Sequence, residues 1–293
     1  MPKITKRKVI KKTPTTKKTL PKRKRTTKGG IADRIRPISF EGRKLKINLY
    51  GRSATGKTTL WGSFPKPILA IICSGTEDPG ELLSLNTPVM REGIDQVVLE
   101  KSSEIPEIIE VVESGGEYAT VVLDHATDLQ NMVLKEVLGI EKVPEQLSWG
   151  LATQQQYGQI ALQMKERLRS VLELPTHVVI VAQEREFNTT EESGSVVMPY
   201  VASALSPSVV GWLNPACDYI CETFMRPETK MQSSNIGGKR VDREVPTGRI
   251  EYCLRTAPDA VYTTKFRLPK GQPVPDVIVD PTYNKILDVV NQP

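Results

Sequence analysis

The chain has 293 residues, enough to bury a full core in one large domain or two small ones. Hydrophobic residues make up 39% and charged residues 25%, an ordinary soluble balance. No apolar run reaches the ~18 residues that cross a bilayer, and no apolar stretch follows the charged N-terminus, so no membrane-spanning or secretory segment is expected. The net charge of +6 is unevenly spread: residues 1–28 hold thirteen of the 40 Lys and Arg and no acid, leaving 27 bases against all 34 acids.

In chain order, Met1 to Gly30 comes first, a stretch of Lys, Arg, Thr and Pro with few hydrophobes. It has too little to bury to offset its chain entropy, which predicts a disordered basic tail over residues 1–30 ahead of one domain at residues 31–293. Such a tail neutralises nucleic-acid phosphates, solubilises the protein or, through Pro21-Lys22-Arg23-Lys24-Arg25, serves as a nuclear address.

A strand is predicted at residues 44–50, where polar and apolar residues alternate, and a helix from Thr58 onward. The apolar run Ile68-Leu69-Ala70-Ile71-Ile72 marks a buried, parallel strand within residues 67–73. Further strands are expected at 96–99, 118–124 and 176–182. Helices are expected at 105–114, opened by Pro106 and stopped by Gly115-Gly116, and at 127–138 and 152–174. This alternation argues for a parallel sheet covered on both faces. After Gln183 the pattern changes to strands at 195–201, 217–225, 249–255 and 261–267 with few helices between them, an antiparallel extension. Residues 226–248, polar and rich in Gly and Ser, read as a mobile surface loop.

Four cysteines are present, Cys73, Cys217, Cys221 and Cys253, three of them in strand-like apolar stretches. Cys217 and Cys221 lack a second CxxC pair or a nearby histidine, so no zinc site is expected, and a reducing, cytoplasmic compartment is.

Gly51-Arg52-Ser53-Ala54-Thr55-Gly56-Lys57-Thr58 satisfies G-x-x-x-x-G-K-[ST] in full. A chance match in a chain of this composition is on the order of one in a hundred, and the predicted strand before it and helix after it are what the motif's mechanics require. The glycines let loop amides point at phosphate oxygens, Lys57 supplies a charge to the terminal phosphates, and Thr58 offers its hydroxyl to Mg²⁺. Val121-Val122-Leu123-Asp124, an apolar strand ending in an acid, has the form of a Walker B segment and makes Asp124 the second Mg²⁺ partner; alternatively Asp124 caps the following helix. His125 reads as a neighbour that shapes the site, a lone His being usually structural. Glu77, with Asp78 behind it, is the candidate for orienting an attacking water, or else part of a solvated turn. Gln183 ends a strand where its amide either senses the terminal phosphate or bonds a loop.

With these pieces placed, residues 44–290 resemble phage-type AAA domain nucleotide-binding proteins with a RecA-like core, a group that includes RecA-like phage single-strand annealing proteins. The residues that carry the resemblance are Gly51 to Thr59, Val121 to Asp124, Val178 to Gln183, Asp218-Tyr219-Ile220, Leu254-Arg255-Thr256 and Lys265-Phe266-Arg267. It implies an α/β RecA-like P-loop NTPase with a mostly parallel sheet, helices on both faces and a C-terminal antiparallel extension. It also implies ATP and Mg²⁺ as cofactors, Thr59 within the phosphate loop, single-stranded DNA as partner, and ATP lying between subunits of a homo-oligomer. Lys265 and Arg267, on one face of a late strand, would reach the neighbouring subunit's nucleotide. The chain departs from the pattern in having Cys73-Ser74-Gly75 where relatives place an acid.

Overall fold

The computed structural model describes residue 35 and residues 42–74, 80–141, 152–188, 199–236, 239–269 and 271–291. The expected basic tail, residues 75–79 with Glu77 and Asp78, and most of the strand expected at 195–201 lie outside them.

Five strands form the parallel centre of one sheet: β1 (Lys46–Gly51), β2 (Ile68–Ile72), β3 (Ile94–Val98), β4 (Thr120–Asp124) and β5 (His177–Ala182). Their spatial order is β1–β5–β4–β2–β3. Ile47 lies opposite Val179 on β5, and Val179 opposite Val122 on β4. Strands β2, β4 and β5 are buried at every position, which is why they read as apolar runs rather than alternating patterns. One strand, β5, separates the strand entering the Gly-rich turn from the strand ending in Asp124. The C-terminal ends of all five meet at one edge, where ligand crevices form in open α/β sheets.

A two-stranded sheet of β6 (Glu184–Phe187) and β7 (Tyr200–Ser203) follows β5. Beyond the other side of β1 the main sheet continues with β8 (Tyr219–Ile236), parallel to β1, and β9 (Lys239–Arg255), antiparallel to β8. Two short strands complete it antiparallel: β10 (Lys265–Phe266) on β8 and β11 (Val277–Val279) on β9. The architecture is the α/β fold expected, a mostly parallel sheet with helices on both faces and an antiparallel extension.

Residues 226–248 differ from the loop predicted for them. Apart from Gly237 and Gly238, which are outside the described residues, they extend β8 and β9 as a hairpin paired from Glu222–Arg255 out to Ile236–Lys239. The distal part is solvent-exposed on both faces, so no apolar face imprints a period of two on its sequence.

Helices cover both faces. On one side lie α3 (Ile105–Ser114), α4 (Ala126–Leu138), α5 (Gln154–Glu173) and α6 (Pro207–Ala216), with Leu129, Met164, Leu168 and Leu213 packed against Leu123 and Val178. On the other lie α1 (Lys57–Trp61) and α7 (Tyr283–Val290), where Leu60, Trp61 and Ile286 meet Leu49, Val181 and Leu254. A single-turn helix, α2 (Pro88–Arg91), precedes β3. Helix α5 starts where it does because Thr153 and Gln156 form a reciprocal capping box. Helices α6 and α7 lie where the sequence pattern suggests mainly strands. Each carries a start signal, Ser206-Pro207 and Thr282, but α6 also holds Gly211 and Pro215, and α7 is only eight residues long.

Candidate functional site

The Gly-rich turn must reverse the chain between Gly51, the last residue of β1, and Lys57, the first of α1. Ala54 and Gly56 do so with φ of 63° and 88°, and Gly51 has φ 154°. A Cβ on Gly51 would sit 2.3 Å from the Thr223 carbonyl oxygen, so only glycine lets β8 pack against the start of the loop. Thr55 Oγ1 donates to the Arg52 carbonyl at 2.8 Å and lies 2.6 Å from Thr223 Oγ1, tying the loop to the same strand. Helix α1 has only five residues, so the loop amides, rather than a long helix dipole, supply the electropositive cradle.

Lys57 is buried, at 8% exposure, and its ammonium donates to the carbonyls of Gly51 at 2.8 Å and Arg52 at 2.5 Å. Burial pushes its pKa below the ordinary lysine value, and the nearby Asp124 carboxylate opposes that shift. A cation held by neutral dipoles in a dehydrated place gains strongly from an anion entering beside it.

Asp124 ends β4, 5% exposed, and one carboxylate oxygen accepts the Trp61 indole N–H at 2.9 Å. The cap of α4 is His125 instead: its Nδ1 accepts the Asp128 amide at 3.2 Å, and its Nε2 lies 3.1 Å from the Asp128 carboxylate. The capping alternative for Asp124 thus falls on its neighbour, and His125 also lines the cavity beside Asp124.

Lys57, Thr58, Asp124 and Gln183 line one cavity of about 540 Å³, together with Ser53, Ala54 and Gly56. Gln183 is fixed at its backbone, donating its amide to Thr127 Oγ1 at 3.1 Å and accepting from the Ala204 amide at 2.7 Å. A larger cavity of about 1040 Å³ between Cys73, Lys101 and α4 contains no residue of the Gly-rich loop. Arg52, four-fifths exposed, pairs with Glu184 at 2.8 Å across the loop's mouth, and Thr59 is exposed on α1. The Thr58 hydroxyl and the Asp124 carboxylate are a hard oxygen pair suited to Mg²⁺, and the donor set fits the metal and triphosphate that the motif implies. Among the described residues no group of three His, Cys, Asp or Glu could hold a metal, and all four cysteines are free and buried.

Lys265 and Arg267 lie elsewhere. Lys265 pairs with Ile220, whose partner on β1 is Asn48, three residues before Gly51. Its ammonium donates to the Asn214 carbonyl at the end of α6; Arg267 bonds the Asp218 carboxylate at 2.9 Å and the Pro215 carbonyl at 3.1 Å. Within this chain both cations serve the C-terminal end of α6, towards the sheet edge opposite the loop. Trp61, Glu184 and Thr223 carry no signal of their place at the site in the sequence, because each meets it only through tertiary packing.

A family model described as AAA domain matches residues 43–268. No curated protein matches the chain significantly. Similar solved structures include the flagellar accessory protein FlaH from Methanocaldococcus jannaschii, 9% identical over 80% of this chain and 88% of that one, TM-score 0.33. Another is a KaiC-like protein from Pyrococcus horikoshii, 14% identical over 71% of this chain and 84% of that one, TM-score 0.34. At those scores neither structure bears on function. No helix among the described residues is long and apolar enough to cross a membrane.

Proposed function

The chain belongs to the AAA domain family, and from that premise we propose that it is an ATPase acting on single-stranded DNA in recombination, annealing or repair. The observation that carries the nucleotide part is the buried Lys57 ammonium on the wall of a cavity that also presents Asp124 and Thr58. In this reading the loop amides and Lys57 hold the phosphates, Thr58 and Asp124 hold Mg²⁺, and Gln183 contacts the terminal phosphate. Bound Mg-ATP supplies the phosphoanhydride and the charge neutralisation that its cleavage needs. The chain's own part is to position the phosphates and keep bulk water off Lys57 and Asp124.

The DNA part rests on thirteen positive charges without an acid in residues 1–28, a pattern suited to phosphate neutralisation. Aromatics are only 5%, which supports binding without sequence-specific readout. Glu77 remains the proposed water-orienting carboxylate, and Lys265 and Arg267 the proposed reach into a neighbouring subunit of a homo-oligomer.

A second reading, a nucleotide-gated switch with little turnover, draws on the engagement of Lys265 and Arg267 by α6 and Asp218, which occupies both cations within their own chain. Phosphate release from Mg-ATP with and without single-stranded DNA separates the two. Turnover that rises with DNA and with protein concentration is expected of the ATPase. Nucleotide binding with no release under either condition leaves only the switch.

A further inference from the structure

Tyr252 rises from β9 beside the phosphate loop. A Cβ added to Gly56 would lie 3.2 Å from the Tyr252 Cδ1, 3.8 Å from its Cγ and 3.9 Å from its Cε1. The ring thus rests over the bare Cα of the second motif glycine, yet remains 44% exposed. Its cross-strand partner is Met225, 42% exposed, and the next pair on the same face, Pro227 and Ile250, is exposed as well. Together they make a short apolar shelf at the root of the hairpin. Leu254, two residues on and so on Tyr252's face, packs with Leu60 and Trp61, which sets the shelf on the same side of the sheet as α1.

We propose that Tyr252 is the platform for the base of the nucleotide whose phosphates occupy the loop, with Met225 extending the shelf. The proposal deepens the reading given above and rests on it. A nucleoside triphosphate held by its phosphates carries its base beyond the cradle, and an exposed aromatic face touching Gly56 is an apolar surface at the right place for it. The offset stacking of a base on a phenol ring needs no hydrogen-bond readout, so the shelf holds a nucleotide base without selecting adenine. The projecting hairpin thereby acquires a role at its root, where its backbone is anchored by the Asp280 amide donating to the Tyr252 carbonyl at 2.7 Å.

The test is calorimetric titration of the full chain and its Tyr252→Ala and Tyr252→Phe variants, at millimolar magnesium, with ATP and separately with inorganic tripolyphosphate. Stacking predicts that Tyr252→Ala weakens ATP by about five- to a hundredfold, leaves tripolyphosphate unchanged, and that Tyr252→Phe keeps wild-type ATP affinity. Unchanged ATP affinity in Tyr252→Ala overturns the proposal. So does an equal loss for ATP and tripolyphosphate, which would make the ring a brace for the loop, or a phenylalanine variant as weak as alanine. A wild-type chain that binds neither ligand instead removes the phosphate site itself, a different failure from loss of the base shelf alone.

Discussion

The indole N–H of Trp61 donates to a carboxylate oxygen of Asp124 across 2.9 Å, joining the last residue of α1 to the last residue of β4. Trp61 is fully buried and Asp124 is 5% exposed. The bond therefore fixes the position of the acid relative to the phosphate loop, because α1 grows directly out of that loop.

Trp61→Phe keeps most of the buried ring and removes only the donor. Leaving a buried carboxylate one partner short costs about 1–3 kcal/mol. The expected result is that loss in urea unfolding, together with a fall in the magnesium-dependent part of ATP affinity while binding measured in EDTA is unchanged. Equal losses with and without magnesium would show that Trp61 supports the loop rather than Asp124.

Gly51→Ala drives a methyl group into the Thr223 carbonyl, which stands 2.3 Å from the Cβ position. Backbone, unlike a side chain, has no rotamer to yield, so the variant is expected to lose about 1–3 kcal/mol to the clash on top of the backbone penalty that its φ of 154° carries. Gly139→Ala is the control: its φ is 66° but nothing lies within 4 Å, so only the backbone penalty of about 1–2 kcal/mol applies. Denaturant midpoints that fall equally in the two variants would remove the packing argument for β8.

His177 sits at the start of β5, with Nδ1 accepting the Leu45 amide at 3.1 Å and Nε2 3.4 Å from the Tyr283 hydroxyl. Burial, aided by the positive charges of Lys44 and Lys46, pushes its pKa from 6.5 down to about 4. The unfolded chain then binds this proton below pH 6.5 and the folded chain only below about 4, so stability falls as pH drops through that window. Thermal melts across it are expected to slope less in His177→Gln than in the wild type. Parallel slopes would show that other groups govern the acid sensitivity.

Removal of residues 1–28 takes away thirteen positive charges. If the tail neutralises phosphates, the truncated chain binds single-stranded DNA more weakly and the dependence of its affinity on salt flattens. An unchanged salt slope would confine any DNA contact to the folded part.

Local signals made most of the parallel sheet and the phosphate loop legible in the sequence. Val121 to Asp124 and Val178 to Ala182 are apolar because both faces of their strands are covered, and Gly51, Gly56 and Lys57 sit at spacings that the loop geometry requires. What escaped depended on distance in sequence. Trp61 meets Asp124 across 63 positions and Thr55 meets Thr223 across 168, and neither pair leaves a periodic trace. The outer hairpin escaped for the opposite reason, since Thr229 to Ser234 and Asp242 to Glu244 bury nothing and so carry no strand-like alternation. The strand expected at 261–267 is shorter than its pattern suggests: β10 holds only Lys265 and Phe266, and Arg267 lies just beyond it.

Function here depends on the loop from Gly51 to Thr58 gripping a triphosphate through Lys57. Isothermal titration of Mg-ATP into the wild type and into Lys57→Ala, with circular dichroism to confirm that both are folded, addresses this directly. Saturable binding to the wild type and none to the folded variant is the predicted result. Equal affinity in the two proteins, or no binding to the wild type, would contradict it.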